Sequence, residues 1–173
     1  MHLYRPKVPV CVAMACSGVA LSFQLAAVIG TGWLVWSFTM NRYTIGKGLF
    51  RYCVEFTDTC STYDKPEDWI KACQAFSMLA LGAMFGSFVV GILHILREDA
   101  QGLTLLAAGV NVVAAVNVAV EVGVYAAENN DLIMNSMMIT ISYGYCFYLS
   151  IAAGALSVVA AILYVVGRVP VRQ

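Results

Sequence analysis

Charge is what this sequence has least of. Only 12% of its 173 residues are Asp, Glu, Lys or Arg, against about 25% in an ordinary soluble domain. With 61% hydrophobic residues, the polar surface is too small to cover a folded chain of this length in water. Lys and Arg balance Asp and Glu at ten each, so no net field draws the chain to nucleic acid or to anionic substrates. Histidine occurs twice, as His2 and His94, which leaves no nucleophile–histidine constellation and no set of metal ligands. Gly-rich phosphate loops, carboxylate pairs with a histidine, internal repeats and low-complexity tracts are all missing. Neither an enzyme nor a cofactor or metal is expected.

Long apolar runs are what the chain does have. A hydrocarbon core about 30 Å thick takes about 20 apolar residues of helix. Four segments meet that length: 8–30, 73–96, 103–127 and 139–166. The first follows a short basic stretch, yet it is long for a signal peptide and its exit, Thr31-Gly32-Trp33, has no clear cleavage pattern, so it reads as a retained span. The fold class expected is an all-α transmembrane four-helix bundle forming one membrane domain over 1–173. Four spans place both termini and the 97–102 loop on one side, with the long 31–72 loop and the short 128–138 loop on the other. Arg5, Lys7, Arg97, Arg168 and Arg172 lie on the first side. Arg42, Lys47, Arg51, Lys65 and Lys71 lie on the second. Cations divide evenly, so they orient the chain only weakly.

The 31–72 loop supplies the missing polarity. Its β-forming residues fall in two runs, one from Trp33 to Ile45 and one from Leu49 to Thr57, with Gly46-Lys47-Gly48 between them as a turn signal. A small antiparallel sheet over the outer ends of the spans is expected. Asp64-Lys65-Pro66-Glu67-Asp68 reads as a helix start, with Asp64 as N-cap, leading through Trp69 and Ile70 into the second span. Cys11, Cys16, Cys73 and Cys146 lie in or beside spans, where small hydrophobes pack. Cys53 and Cys60 lie in the polar loop. If that loop is extracellular, the compartment is oxidising and the two would close a tight hairpin as a disulfide. The expected location is the plasma membrane, with cytoplasmic termini.

Trp33, then Gly48-Leu49-Phe50-Arg51-Tyr52-Cys53, then Cys60 resembles the first-loop signature of the claudin superfamily, a Trp followed by Gly-Leu-Trp and Cys…Cys. The GLFRYC string is similar to the branch of peripheral myelin protein, the epithelial membrane proteins and lens fibre membrane intrinsic protein. Trp69 to Phe76 resembles that branch's entry into its second span, and Ser142-Tyr143-Gly144 through Gly154 to Tyr164 its fourth. The resemblance implies a claudin-like bundle topped by a small extracellular antiparallel β-sheet. It implies work by protein–protein contact at cell–cell junctions or adhesion sites. The related channel-regulating proteins imply an alternative, an auxiliary subunit of an ion channel or receptor, and a paracellular barrier or pore is a second. Partners would be membrane lipid and other membrane proteins, homotypic or a channel or receptor. Phe50 stands where the family usually has Trp, Gln74 where many members carry Arg, and the cysteine spacing is shorter than in typical claudins. No Asn-x-Ser/Thr acceptor is present, and 169–173 lacks the terminal hydrophobic residue that lets claudins bind PDZ scaffolds.

Two further groups of residues attract attention. Glu121 is the one acid inside a span, where charge is costly, and Asn117 lies four residues earlier on the same helical face. Two readings of this pair stay open. One is a functional polar seam; the other is a bond from Glu121 to Gln24 or Ser22 inside the bundle, or a place near the headgroups. In the loop, Trp36, Phe38, Tyr43, Phe56 and Tyr63 are candidates for an adhesive or lateral contact surface, since aromatics are enriched at interface hot spots. Some of them must instead pack on the sheet or lie at the membrane interface. Small residues recur four apart at Gly82 and Gly86, at Ala115, Ala119 and Gly123, and at Ser150 and Gly154. Such rows let helices approach closely, within the bundle or toward a partner.

Overall fold

Hydrocarbon leaves backbone polar groups no partner but the chain itself, so each apolar run closes into a helix. The computed structural model describes residues 8–38, 43–96, 101–135 and 139–168. Within them the helices are α1 (Val8–Ile29), α2 (Asp68–Leu96), α3 (Gln101–Asn129) and α4 (Tyr145–Arg168). All four are long and apolar enough to cross a membrane. The basic residues Arg5, Lys7, Arg42, Arg97 and Arg172 lie outside the described residues, as does most of the 97–102 loop.

Around the bundle α1 neighbours α2 and α4, and α3 neighbours the same two helices. The α1–α2 seam is the least extensive of the four. Alanines dominate the interior: Ala13, Ala20, Ala80, Ala107, Ala114, Ala153 and Ala160 are fully buried or nearly so. Large apolar residues such as Leu79, Phe85, Val116 and Ile162 face outward. That pattern is reversed from a soluble bundle, because lipid rewards outward bulk while small residues let helices close up.

Two corrections concern helix starts. α2 begins at Asp68 rather than Asp64. Pro66 disfavours helical backbone at the residue before it, which holds Lys65 out of the helix. α4 begins at Tyr145, not 139, because Ile139–Tyr143 is a β-strand. Ile139, Ile141 and Tyr143 alternate with Thr140 and Ser142, a period of two rather than 3.6.

Six strands form one antiparallel sheet: β1 (Leu34–Phe38), β2 (Tyr43–Lys47), β3 (Arg51–Val54), β4 (Thr59–Thr62), β5 (Met134–Asn135) and β6 (Ile139–Tyr143), in the order β4-β3-β2-β1-β6-β5. The first apolar run is therefore two strands, with Phe38 opposite Tyr43. Gly46 and Lys47 belong to β2, and the turn falls at 48–50. A side chain at Gly48 would run into the Gly30 carbonyl, so only glycine lets the turn lie on the end of α1. The short second loop contributes β5, and β6 takes the first residues expected in the fourth span. β1 thus pairs with β2 from its own loop and with β6 from the other.

Candidate functional site

The motif residues Trp33, Gly48, Leu49 and Arg51 lie where the sheet meets the bundle. Trp33 is wholly buried and donates its indole N–H to the Ala27 carbonyl at 2.7 Å. Its ring sits against Tyr125 at 4.9 Å and Phe147 at 6.1 Å. Leu49 is buried in the same cluster, and Gln74 of α2 donates to its carbonyl at 2.8 Å. Gly48 accepts from the Tyr63 hydroxyl at 3.0 Å. Arg51 donates from Nε and one Nη to the Ile29 carbonyl, at 3.2 and 3.0 Å. Ile29 ends α1, so the guanidinium satisfies a carbonyl that the helix leaves open and opposes the negative end of its dipole. Trp33, Leu49 and Arg51 thus tie the loop to the helices. Gln74 makes such a tie itself, although it replaces an arginine common in the resemblance. Phe50 is half-buried against this cluster.

Cys53 and Cys60 lie directly opposite across β3 and β4 and are joined as a disulfide. A 3-10 turn at Glu55–Thr57 closes the hairpin, with Asp58 in the left-handed region at φ 51°. Asp is among the few side chains that tolerate that conformation. The bridge fixes a hairpin whose side chains are mostly exposed.

The five candidate contact aromatics divide. Trp36 is half-buried against the core, among Trp33, Leu34 and Ile141. Tyr63 is half-buried beside Tyr52, with its hydroxyl on Gly48. Burial, with Tyr52 adding to it, pushes the Tyr63 hydroxyl up to about 12. The other three form a row at the end of the sheet farthest from the helices. Phe38 stacks on Tyr43 at 4.5 Å, and Tyr43 meets Phe56 at 6.3 Å. Phe56 is 79% exposed.

Inside the bundle the structure brings Glu121 to Gln24, not to Asn117. Gln24 donates to Glu121 at 2.9 Å, and Ser150 donates to the Gln24 side-chain Oε1 at 3.1 Å. Gln24 also reaches Ser77 at 3.4 Å. One buried polar side chain from each helix therefore meets in a single layer. Asn117 bonds the Val113 carbonyl of its own helix at 2.8 Å and is only half-buried. Four residues rotate a helix by about 40°, and at the edge of the buried arc that turn carries Asn117 outward. Asn111, on the opposite side of Glu121, is the buried one. It bonds Ser17 at 3.4 Å and also Ser87, joining α1, α2 and α3 in a second layer. Ser77 and Ser87 were not singled out in the sequence, since serine is unremarkable in any membrane helix, and Ser150 was read only as a small residue four before Gly154. Among the described residues no group of three His, Cys, Asp or Glu is placed to hold a metal ion.

The small-residue rows also divide. A side chain at Gly154 would press on Val118, whereas Gly82, Gly109 and Gly123 have open space beside them. On the outer face of α3 and α4 two apolar grooves follow one another. Leu105, Gly109, Val112, Ala161 and Val165 line one of ≈ 560 Å³; Ala115, Ala119, Ile151, Ala155 and Val158 line one of ≈ 330 Å³.

Four apolar spans carrying a disulfide-closed sheet define a multi-pass membrane protein that displays a folded platform at one end of its bundle. The chain belongs to the PMP-22/EMP/MP20/Claudin family, whose model matches residues 8–164. This is a family of four-span proteins of junction or adhesion type, structural rather than enzymatic, whose members interact with other membrane proteins and with lipid. Comparison with individual curated proteins gives no match.

Proposed function

We propose that this protein acts by contact at the cell surface, in the plasma membrane, with the sheet extracellular and the termini cytoplasmic. The disulfide supports that orientation, since such a bridge persists in an oxidising compartment. The observation that carries the reading is the aromatic row Phe38, Tyr43 and Phe56, which faces away from the bundle while the other loop aromatics anchor the sheet. An aromatic side chain at a protein's far tip is costly to leave in water and inexpensive to bury against a partner. A junction or adhesion role at cell–cell contacts follows. Cells expressing this chain alone are expected to cluster, and Phe56→Ala to reduce clustering several-fold with surface expression unchanged. Equal clustering by the variant would sink the reading.

A second reading, an auxiliary subunit of a channel or receptor, draws on the α3–α4 grooves, whose small residues suit a partner's helix. It predicts co-purification with one larger membrane protein in mild detergent, without clustering. A chain recovered alone would count against it.

A further inference from the structure

A third apolar groove lies elsewhere, on the α1–α2 seam at the sheet end of the bundle. Val28, Ile29, Phe50, Arg51 and Met78 line it, around ≈ 270 Å³. This seam is the least closely packed of the four, so the groove opens sideways toward hydrocarbon. Ile29 and Met78 are each 54% exposed. Ile29 is the last residue of α1, which places the groove where the hydrocarbon ends and headgroups begin.

Arg51 is the one charged residue of the lining. It is exposed, and it spends Nε and one Nη on a single carbonyl. A guanidinium has five N–H donors in a planar fork suited to phosphate. Among the described residues, the other Nη takes no hydrogen-bond partner. The bond to Ile29 holds the fork still, so little side-chain freedom is lost when a second acceptor binds. An apolar slot that opens into hydrocarbon, with a fixed cation at its polar end, matches the two halves of a phospholipid.

We propose that this groove binds a phospholipid, its phosphate on the free side of the Arg51 guanidinium and an acyl chain between Phe50, Ile29 and Met78. Anion and cation complement each other there, and the chain end continues into the bilayer. The proposal needs only that the bundle spans a membrane, so it stands apart from the contact role and from the orientation argued above. Arg51 then has two tasks, closing the end of α1 and fixing the headgroup.

Native mass spectrometry of the detergent-purified full chain tests this, with dioleoyl phosphatidylcholine and dioleoylglycerol as probes. The two share acyl chains and differ in the phosphate headgroup. Phosphatidylcholine is expected to be retained about ten-fold more than dioleoylglycerol, about what one charge-assisted hydrogen bond supplies. Arg51→Gln should bring the two lipids level. Because that change also uncaps α1, Met78→Trp provides the independent arm. It fills the slot while leaving the Arg51–Ile29 bond in place, and should lower retention of phosphatidylcholine about ten-fold without altering thermal unfolding in lipid-free detergent. Equal retention of the two lipids by the native chain, unchanged retention in Met78→Trp, or displacement of the lipid by an equal concentration of inorganic phosphate would overturn the proposal.

Discussion

The two ends of the bundle are held together differently. At the sheet end, Trp33, Tyr125, Phe147 and Tyr143 interlock ring against ring, and Lys47 lies over Trp69 at 5.3 Å. Side chains from the loops there bond helix carbonyls at Ala27, Ile29 and Ala126. In the middle and at the opposite end the packing is mostly of Ala13, Ala20, Ala80, Ala107, Ala114, Ala153 and Ala160, with Met84 and Tyr164 among them, and glycines lie where Phe88, Val118 and Tyr164 press in. One end is wedged by interlocking rings and pinned by loop side chains on helix carbonyls; the other closes on mostly small side chains around two polar layers. The difference follows solvent. Near the headgroups, indole and phenol groups serve both apolar and wet surroundings. Deeper in, dispersion across a close seam is what holds helices together.

The contrast can be broken at either end. The largest expected effect is at the wedge: Trp33→Ala should cost about 3–5 kcal/mol, measured as unfolding of the purified protein in detergent. It removes two ring contacts and the bond to Ala27 together. A smaller effect belongs to the close seam. Gly154→Val presses on Val118 and should cost about 1–3 kcal/mol, whereas Gly82→Ala meets open space and should be neutral or stabilising by up to about 1 kcal/mol through helix propensity. Equal effects at the two glycines would show that the seam is not close-packed.

The smallest effect sharpens the pinning. The Tyr63 hydroxyl titrates at about 12 in the fold against 10.0 for the free side chain. Its neutral form is the one the fold favours, so that contribution is complete below pH 10 and is lost as pH rises from there toward 12. Tyr63→Phe should flatten the alkaline fall in stability over that window, read from unfolding midpoints across a pH series. An unchanged slope would mean that the hydroxyl is not buried in the fold.

The spans were legible because hydrocarbon thickness imposes a length on any helix that crosses it. The Cys53–Cys60 hairpin was legible because polar sequence and β-forming residues surround both cysteines. β6 was not: its five residues adjoin a span, and Ile139 and Ile141 read as more of the same apolar run unless the alternation with Thr140 and Ser142 is weighed. Gln24 as a partner of Glu121 was among the readings the sequence left open. The choice between them needed the third dimension, since Gln24 and Glu121 sit on helices that are not neighbours in the ring. For the aromatics, composition located the group, but only the fold separates Phe38, Tyr43 and Phe56, which meet ring to ring, from Trp36 on the core and Tyr63 on Gly48.

The placement of β1 has a consequence for biosynthesis. Its two neighbours leave the ribosome at very different times: β2 follows within a few residues, while β6 emerges only just before the last helix. Until then β1 keeps an unpaired edge, the kind of surface that recruits other strands. The platform is therefore finished only when the second loop has reached the same side of the membrane as the first. A chain that stalls or misinserts after its second helix would display that open edge to the folding machinery, which makes the sheet a built-in report on whether all four helices have been threaded correctly.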